Sequence, residues 1–145
     1  MEIYTIGFTK KTAAEFFQAL EHHKIERLID VRVNNTSQLA GFAKRDDLAY
    51  FLGKLIGAEY LHEPLLAPTK QLLKAYRSGD VDWEAYEKAF LDLMAERNID
   101  RAISKVIFDK RSVLLCSEST SERCHRRLVI EYLNDSWGDV EAVDL

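Results

Sequence analysis

The chain has little of what marks several protein classes. Cysteine occurs twice in 145 residues. That is too few for a disulfide-held scaffold, and a chain of this length buries roughly two-thirds of its unfolded surface without staples. Proline occurs twice and glycine six times, with no repeat, low-complexity run or linker, which excludes a collagen-like or disordered chain. No apolar run approaches the roughly eighteen residues of a membrane span. No glycine-rich phosphate loop is present, which counts against a nucleoside-triphosphate site of that kind. The N-terminus enters a strand directly, with no basic region leading into an apolar run, so a signal peptide is not expected. The cytoplasm is the expected location, with both thiols free and no membrane partner.

What is present is 47% hydrophobic and 30% charged residues, the balance of a soluble globular chain, and residues 1–145 read as a single domain. The net charge of −4 argues against a general nucleic-acid coat protein. Charge is unevenly spread, however. Bases gather at Lys10-Lys11, Lys44-Arg45 and Arg123 to Arg127, while acids dominate from Asp80 to Asp100. An acidic protein can hold one positive pocket, so a small anionic ligand or a nucleic-acid fragment stays open as a partner.

Glu2 to Phe8 is β-rich and apolar, like a buried parallel strand. Thr12 and Glu15 match a capping box, followed by a helix with Ala13, Phe16, Phe17, Leu20 and His23 on one face. A second strand runs from Ile25 to Val33, and Asn34 to Gly41 is polar and turn-like. Arg45 to Gly57 reads as a helix with Leu48, Phe51, Leu52 and Leu55 inward. Ala58 to His62 is a short strand. Pro68 starts a helix through Tyr76, Asp82 caps another over Trp83 to Arg97, and Asp100 caps a third over Arg101 to Phe108. A strand at Val113, a helix from Glu122 to Asn134 and a strand from Val140 to Val143 follow.

That alternation predicts an α/β fold: a mostly parallel open sheet of about five strands, helices on both faces, Rossmann-like and doubly wound. Right-handed crossovers then bring every carboxyl end to one rim, where ligands bind in such sheets. The rim would gather Gly7 to Lys11, Asp30 and Arg32, His62 to Pro64, and Cys116 to His125.

The most informative stretch is Ser112 to Arg127, read as strand, polar loop and helix start. Ser119 and Glu122 match a second capping box, and the first N–H groups of a helix favour an anion. Hydroxyls of Ser117, Ser119, Thr120 and Ser121 can donate there, with Arg32, Arg123 and Arg126 as clamps; the alternative is a plain capped helix with a solvated loop. Cys116, facing that helix start with arginine nearby, is a candidate nucleophile or else a small buried residue. Cysteine phosphatases place five residues between Cys and Arg, whereas six separate Cys116 from Arg123. Cys116, Cys124 and His125, with Glu118 or His62, form a possible zinc or iron set. Cys124 and His125 are adjacent on the expected helix and diverge, and Cys124 aligns with Leu128 and Tyr132 as core. Asp30 and Arg32 alternate to one side of their strand, as a site pair or a structural salt bridge. Tyr76, Trp83, Tyr86 and Phe90 suit a base-stacking wall or, at spacings of three and four, a packing stripe.

Several blocks occur in a fixed order: Tyr4-Thr5-Ile6-Gly7, Ile29-Asp30-Val31-Arg32, Gly41-Phe42-Ala43-Lys44, Glu59-Tyr60-Leu61-His62, and Leu114-Leu115-Cys116-Ser117-Glu118 with Arg123-Cys124-His125-Arg126. Together they resemble the family called "domain of unknown function 488" over nearly the whole chain. The Cys-x-Glu and Arg-Cys-His-Arg block is the most specific part. The resemblance implies a fold and a probable site rather than a reaction. Two departures stand out. Many members have His after the first Gly, where this chain has Phe8, so a proton-transfer role is not carried over to that loop. Many also read Leu-Gly-Gly where this chain has Pro64-Leu65-Leu66-Ala67.

The expected function is a small enzyme or binder for an anionic, phosphate-bearing ligand, a nucleotide or nucleic acid included, at the carboxyl rim. Asp30, Glu118, Cys116 and His125 are the catalytic candidates. Gly7, Thr9, Arg32, His62, Ser117, Ser119, Arg123 and Arg126 are the binding candidates. No cofactor is expected. The alternatives are a non-catalytic interaction module, and a metal- or cysteine-dependent enzyme using Cys116, Cys124 and His125.

Overall fold

A computed structural model describes residues 1–36, 41–116 and 124–145. Among them the chain forms β1 (Glu2–Gly7), α1 (Ala13–His22), β2 (Arg27–Asp30), α2 (Arg45–Phe51), β3 (Glu59–His62), α3 (Lys70–Ser78), α4 (Trp83–Glu96), α5 (Ile99–Ala102), β4 (Ser112–Cys116), α6 (His125–Trp137) and β5 (Glu141–Asp144). The sheet order is β3-β2-β4-β1-β5, and every pairing is parallel. The expected class holds: a parallel five-stranded α/β sheet with helices on both faces.

Side-chain alternation divides the core in two. Ile3, Ile29, Val31, Leu114 and Cys116 point to the face covered by α4, α5 and α6. Tyr4, Ile6, Leu28, Val113 and Leu115 point to the face covered by α1 and α2. A period of two along each strand produces that division, and each large apolar side chain buried there contributes roughly 1.5–3 kcal/mol. No helix among the described residues is long and apolar enough to cross a membrane.

Local chemistry sets several element ends. Thr12 and Glu15 form the reciprocal capping box that starts α1. Asp82 accepts from the Ala85 N–H at the start of α4. Gly79, at φ 85°, ends α3 in the left-handed region that favours glycine.

Other expectations are corrected. The β2 ladder is shorter than Ile25 to Val33, although the Val31 N–H still bonds to Leu115 O at 3.1 Å. Ala13 is exposed, because it sits in the first turn of α1 outside the buried Phe16, Phe17 and Leu20 stripe. Pro68 precedes α3; Thr69 caps it through the Leu72 N–H. α2 gives way to a π-helix over Leu52–Ile56. A π turn holds more residues than an α turn, so the inward stripe loses phase. Leu48 and Leu52 stay buried, while Phe51 and Leu55 are 37% and 56% exposed. Asp100 caps no long helix. Asn98 turns the chain in the left-handed region, α5 is four residues long, and Ser104 starts a separate 3-10 turn over Lys105–Phe108.

Candidate functional site at the carboxyl rim

Register places the strand ends together. Asp30 pairs with His62 on one side and Leu115 on the other, and Gly7 pairs with Cys116. Asp30, His62, Gly7 and Cys116 therefore share one edge. β4 lies between β2 and β1. The chain leaves β1 and β2 towards α1 and α2 on one face, and leaves β4 towards α6 on the other. Connections that diverge in this way open a crevice, here at the end of β4.

On the α1 and α2 side, Asp30 and Arg32 form a buried bidentate pair. Arg32 Nε and Nη2 each donate to a different Asp30 oxygen at 2.8 Å, and the Arg32 N–H adds a third bond at 3.1 Å. Arg32 Nη1 donates to Ala43 O at 2.7 Å, and the guanidinium lies 5.5 Å from the centre of the Phe8 ring. The Tyr60 hydroxyl donates to Asp30 Oδ2. Burial raises the Tyr60 pKa, and the bond to that carboxylate raises it further. Asn35 Nδ2 donates to the Tyr60 oxygen at 3.4 Å. Half-buried His62 places Nε2 3.3 Å from Arg32 O. Of the two readings of Asp30 and Arg32, this geometry is that of a salt bridge closing a strand end. Asp30 and Ala43 O together engage three of the five Arg32 guanidinium N–H groups.

The other side of the rim holds sulfur. Cys116 and Cys124 form a disulfide, which corrects the expectation of two free thiols. The pairing needed the fold to set the end of β4 against the start of α6. That helix begins at His125 rather than Glu122, with Cys124 as its N-cap in extended backbone. Cys124 is therefore not in the helical row of Leu128 and Tyr132, although it is buried beside Leu128 in the same core. Arg126 Nη1 lies 2.8 Å from Cys116 Sγ. The arginine at Cys116 in the described structure is thus Arg126.

His125 is 8% exposed, with Nε2 donating to Val31 O at 2.7 Å and its ring 5.6 Å from that of Phe90. Burial lowers its pKa to about 4, outweighing the Val31 bond, with Arg126 and Arg77 pushing the same way. It is a neutral core histidine at neutral pH. Phe90 continues through Tyr86 to Trp83 and Tyr76, with centroid spacings of 4.8–6.2 Å. Buried Tyr86 and Phe90 make this row a packing stripe.

The turn after β1 brings a further cation. Lys10 takes the left-handed region at φ 64°, and the Lys11 N–H bonds back to Phe8 O at 3.1 Å. Partial burial lowers the Lys11 pKa, and the nearby Arg126 charge lowers it further. Gly7 is buried at the strand end, while Thr9 is exposed in the turn. Ser117, Glu118, Ser119, Thr120, Ser121, Glu122 and Arg123 lie outside the described residues, and with them the expected anion-binding turn. Among the described residues, no group of three His, Cys, Asp or Glu is placed to hold a metal.

One feature of this side escaped sequence reading. Lys70, Lys74 and Arg77 line a groove of about 460 Å³ with Leu73, Ser78 and Asn34, the last from the loop after β2. Among the described residues, no carboxylate lines it. The Arg77 charge helps to lower the His125 pKa. The signal was present in the sequence: positions i, i+4 and i+7 share one helical face.

No curated protein and no solved structure matches the chain. A family model does, over residues 12–133. That span covers most of the polypeptide and includes β2, β3, β4 and both rim cysteines. The chain therefore belongs to the family described as Domain of unknown function DUF488.

Proposed function

We propose that the protein binds or acts on a phosphate-bearing polyanion, such as a single-stranded nucleic acid, along α3 and at the carboxyl rim. The row Lys70, Lys74 and Arg77 carries this reading. Among the described residues, three cations from one helix and no carboxylate line the groove, in a chain whose net charge is −4. Seven residues at about 1.5 Å rise span roughly 10 Å. That length suits several successive charges, spaced about 3.4 Å along one strand, better than a single phosphate. Lys11 and Arg126 add positive potential at the end of β4.

Fluorescence anisotropy of a labelled single-stranded oligonucleotide, titrated with protein across a salt series, tests the reading. Three phosphate contacts give a slope of log affinity on log salt of about −2. Replacing Lys70, Lys74 and Arg77 together by Gln should flatten that slope and weaken binding at least ~10-fold. These side chains are exposed, so the fold should survive. Equal binding by the triple variant, or none by the parent at low salt, sinks the proposal. ATP and inorganic phosphate as competitors distinguish a polymer from a small anion.

A further inference from the structure

We propose that Cys116 and Cys124 are a peroxide-reactive redox pair, Cys116 attacking and Cys124 resolving. Three observations carry it, independently of the α3 groove. The two sulfurs are joined, although eight positions separate them in sequence. Arg126, 1% exposed, places Nη1 2.8 Å from Cys116 Sγ. Cys124 is the N-cap of α6, so the positive end of that helix lies beside the same pair.

The guanidinium divides the roles. Positive charge against a sulfur favours the thiolate, the nucleophilic form, and Arg126 Nη1 contacts Cys116. Both residues are nearly buried, at 1% and 3% exposure, so the reagent must be small. Hydrogen peroxide fits. The Cys116 thiolate attacks one peroxide oxygen: an S–O bond forms, the O–O bond breaks, and the leaving hydroxide takes a solvent proton to become water. Sulfur is oxidised by two electrons to sulfenic acid. Cys124, its proton lost to solvent, then attacks the Cys116 sulfur. The S–S bond forms, the S–O bond breaks, and hydroxide leaves and is protonated. Two thiols and one peroxide become one disulfide and two waters. A low-molecular-weight thiol returns the pair to the dithiol by two exchange steps and is itself oxidised to its disulfide.

The test reduces the full chain with dithiothreitol, removes the reductant, and adds stoichiometric hydrogen peroxide. Both thiols should disappear together, and the intact mass should fall by about 2 Da. In Cys124→Ser the reaction should stop at sulfenic acid, captured by dimedone on Cys116. Arg126→Met should slow peroxide consumption ~10-fold or more, with Arg126→Lys restoring part of the rate. Two thiols that oxidise independently, or no faster than free cysteine, overturn the proposal. So does dimedone labelling of Cys124 instead. The parent measurement needs no variant, so a misfolded substitution leaves it standing. Oligonucleotide binding on the same samples reports the α3 groove separately.

Discussion

Two arginines are buried at the rim, one at the end of β2 and one at the start of α6, at 2% and 1% exposure. Arg32 meets a carboxylate through both edges of its fork. Arg126 meets a sulfur. The carboxylate meets the guanidinium through two parallel hydrogen bonds, so the Arg32 pair anchors a strand end. A sulfur carries charge only as thiolate and loses it in a disulfide, so the balance at Arg126 changes with oxidation. A buried arginine is thus a fixture or a reactive element according to its neighbour.

The largest expected effect breaks the first half of that contrast. Asp30→Ala strands the Arg32 guanidinium in the core, and losing one partner of a buried pair costs about 3–5 kcal/mol. Urea unfolding should show the midpoint falling accordingly. A loss below ~1 kcal/mol would mean that Arg32 finds water or another acceptor, and the anchor reading fails.

Next in size is a pH effect on the sulfur side. Native His125 resists protonation until about pH 4, whereas an unfolded histidine takes a proton near 6.5. Below that upper value the unfolded state binds more protons, so stability is full above it and is lost as pH falls through the lower one. The total is on the order of 3 kcal/mol. His125→Phe should flatten the stability profile across that window, read from unfolding midpoints at a series of pH values. An unchanged slope would show that other groups set it.

The smallest effect sharpens the Asp30 side. Tyr60→Phe removes one donor to a carboxylate that keeps its Arg32 bonds. It should cost about 1 kcal/mol, far less than Asp30→Ala, by the same unfolding assay. Equal losses would make Tyr60, not Arg32, the main partner of Asp30.

Much of this architecture was readable from residue order. The Thr12 and Glu15 box, the Asp82 cap and the strand alternation are interactions among near neighbours, and the structure has them as expected. The shared rim followed from parallel topology. Failures occurred where a local signal was weak or misleading. Leu55 had the right spacing for burial, but one π segment turned it outward. Cys124 had the spacing for a helical row with Leu128 and Tyr132, whereas α6 starts at His125 with Cys124 as its N-cap. The Lys70, Lys74 and Arg77 row was visible as a spacing, yet it gained meaning only when Asn34 supplied the facing wall.

Residue order by itself determined the strands, most helices, the parallel sheet and the shared rim of strand ends, because each depends on periodicity or on groups a few positions apart. Tertiary structure alone decided who meets whom there: Arg32 with Ala43, Arg126 with Cys116, Cys116 with Cys124. The outcomes for paired side chains depend on ångström-scale distances between elements, and strand register and helix start set those distances.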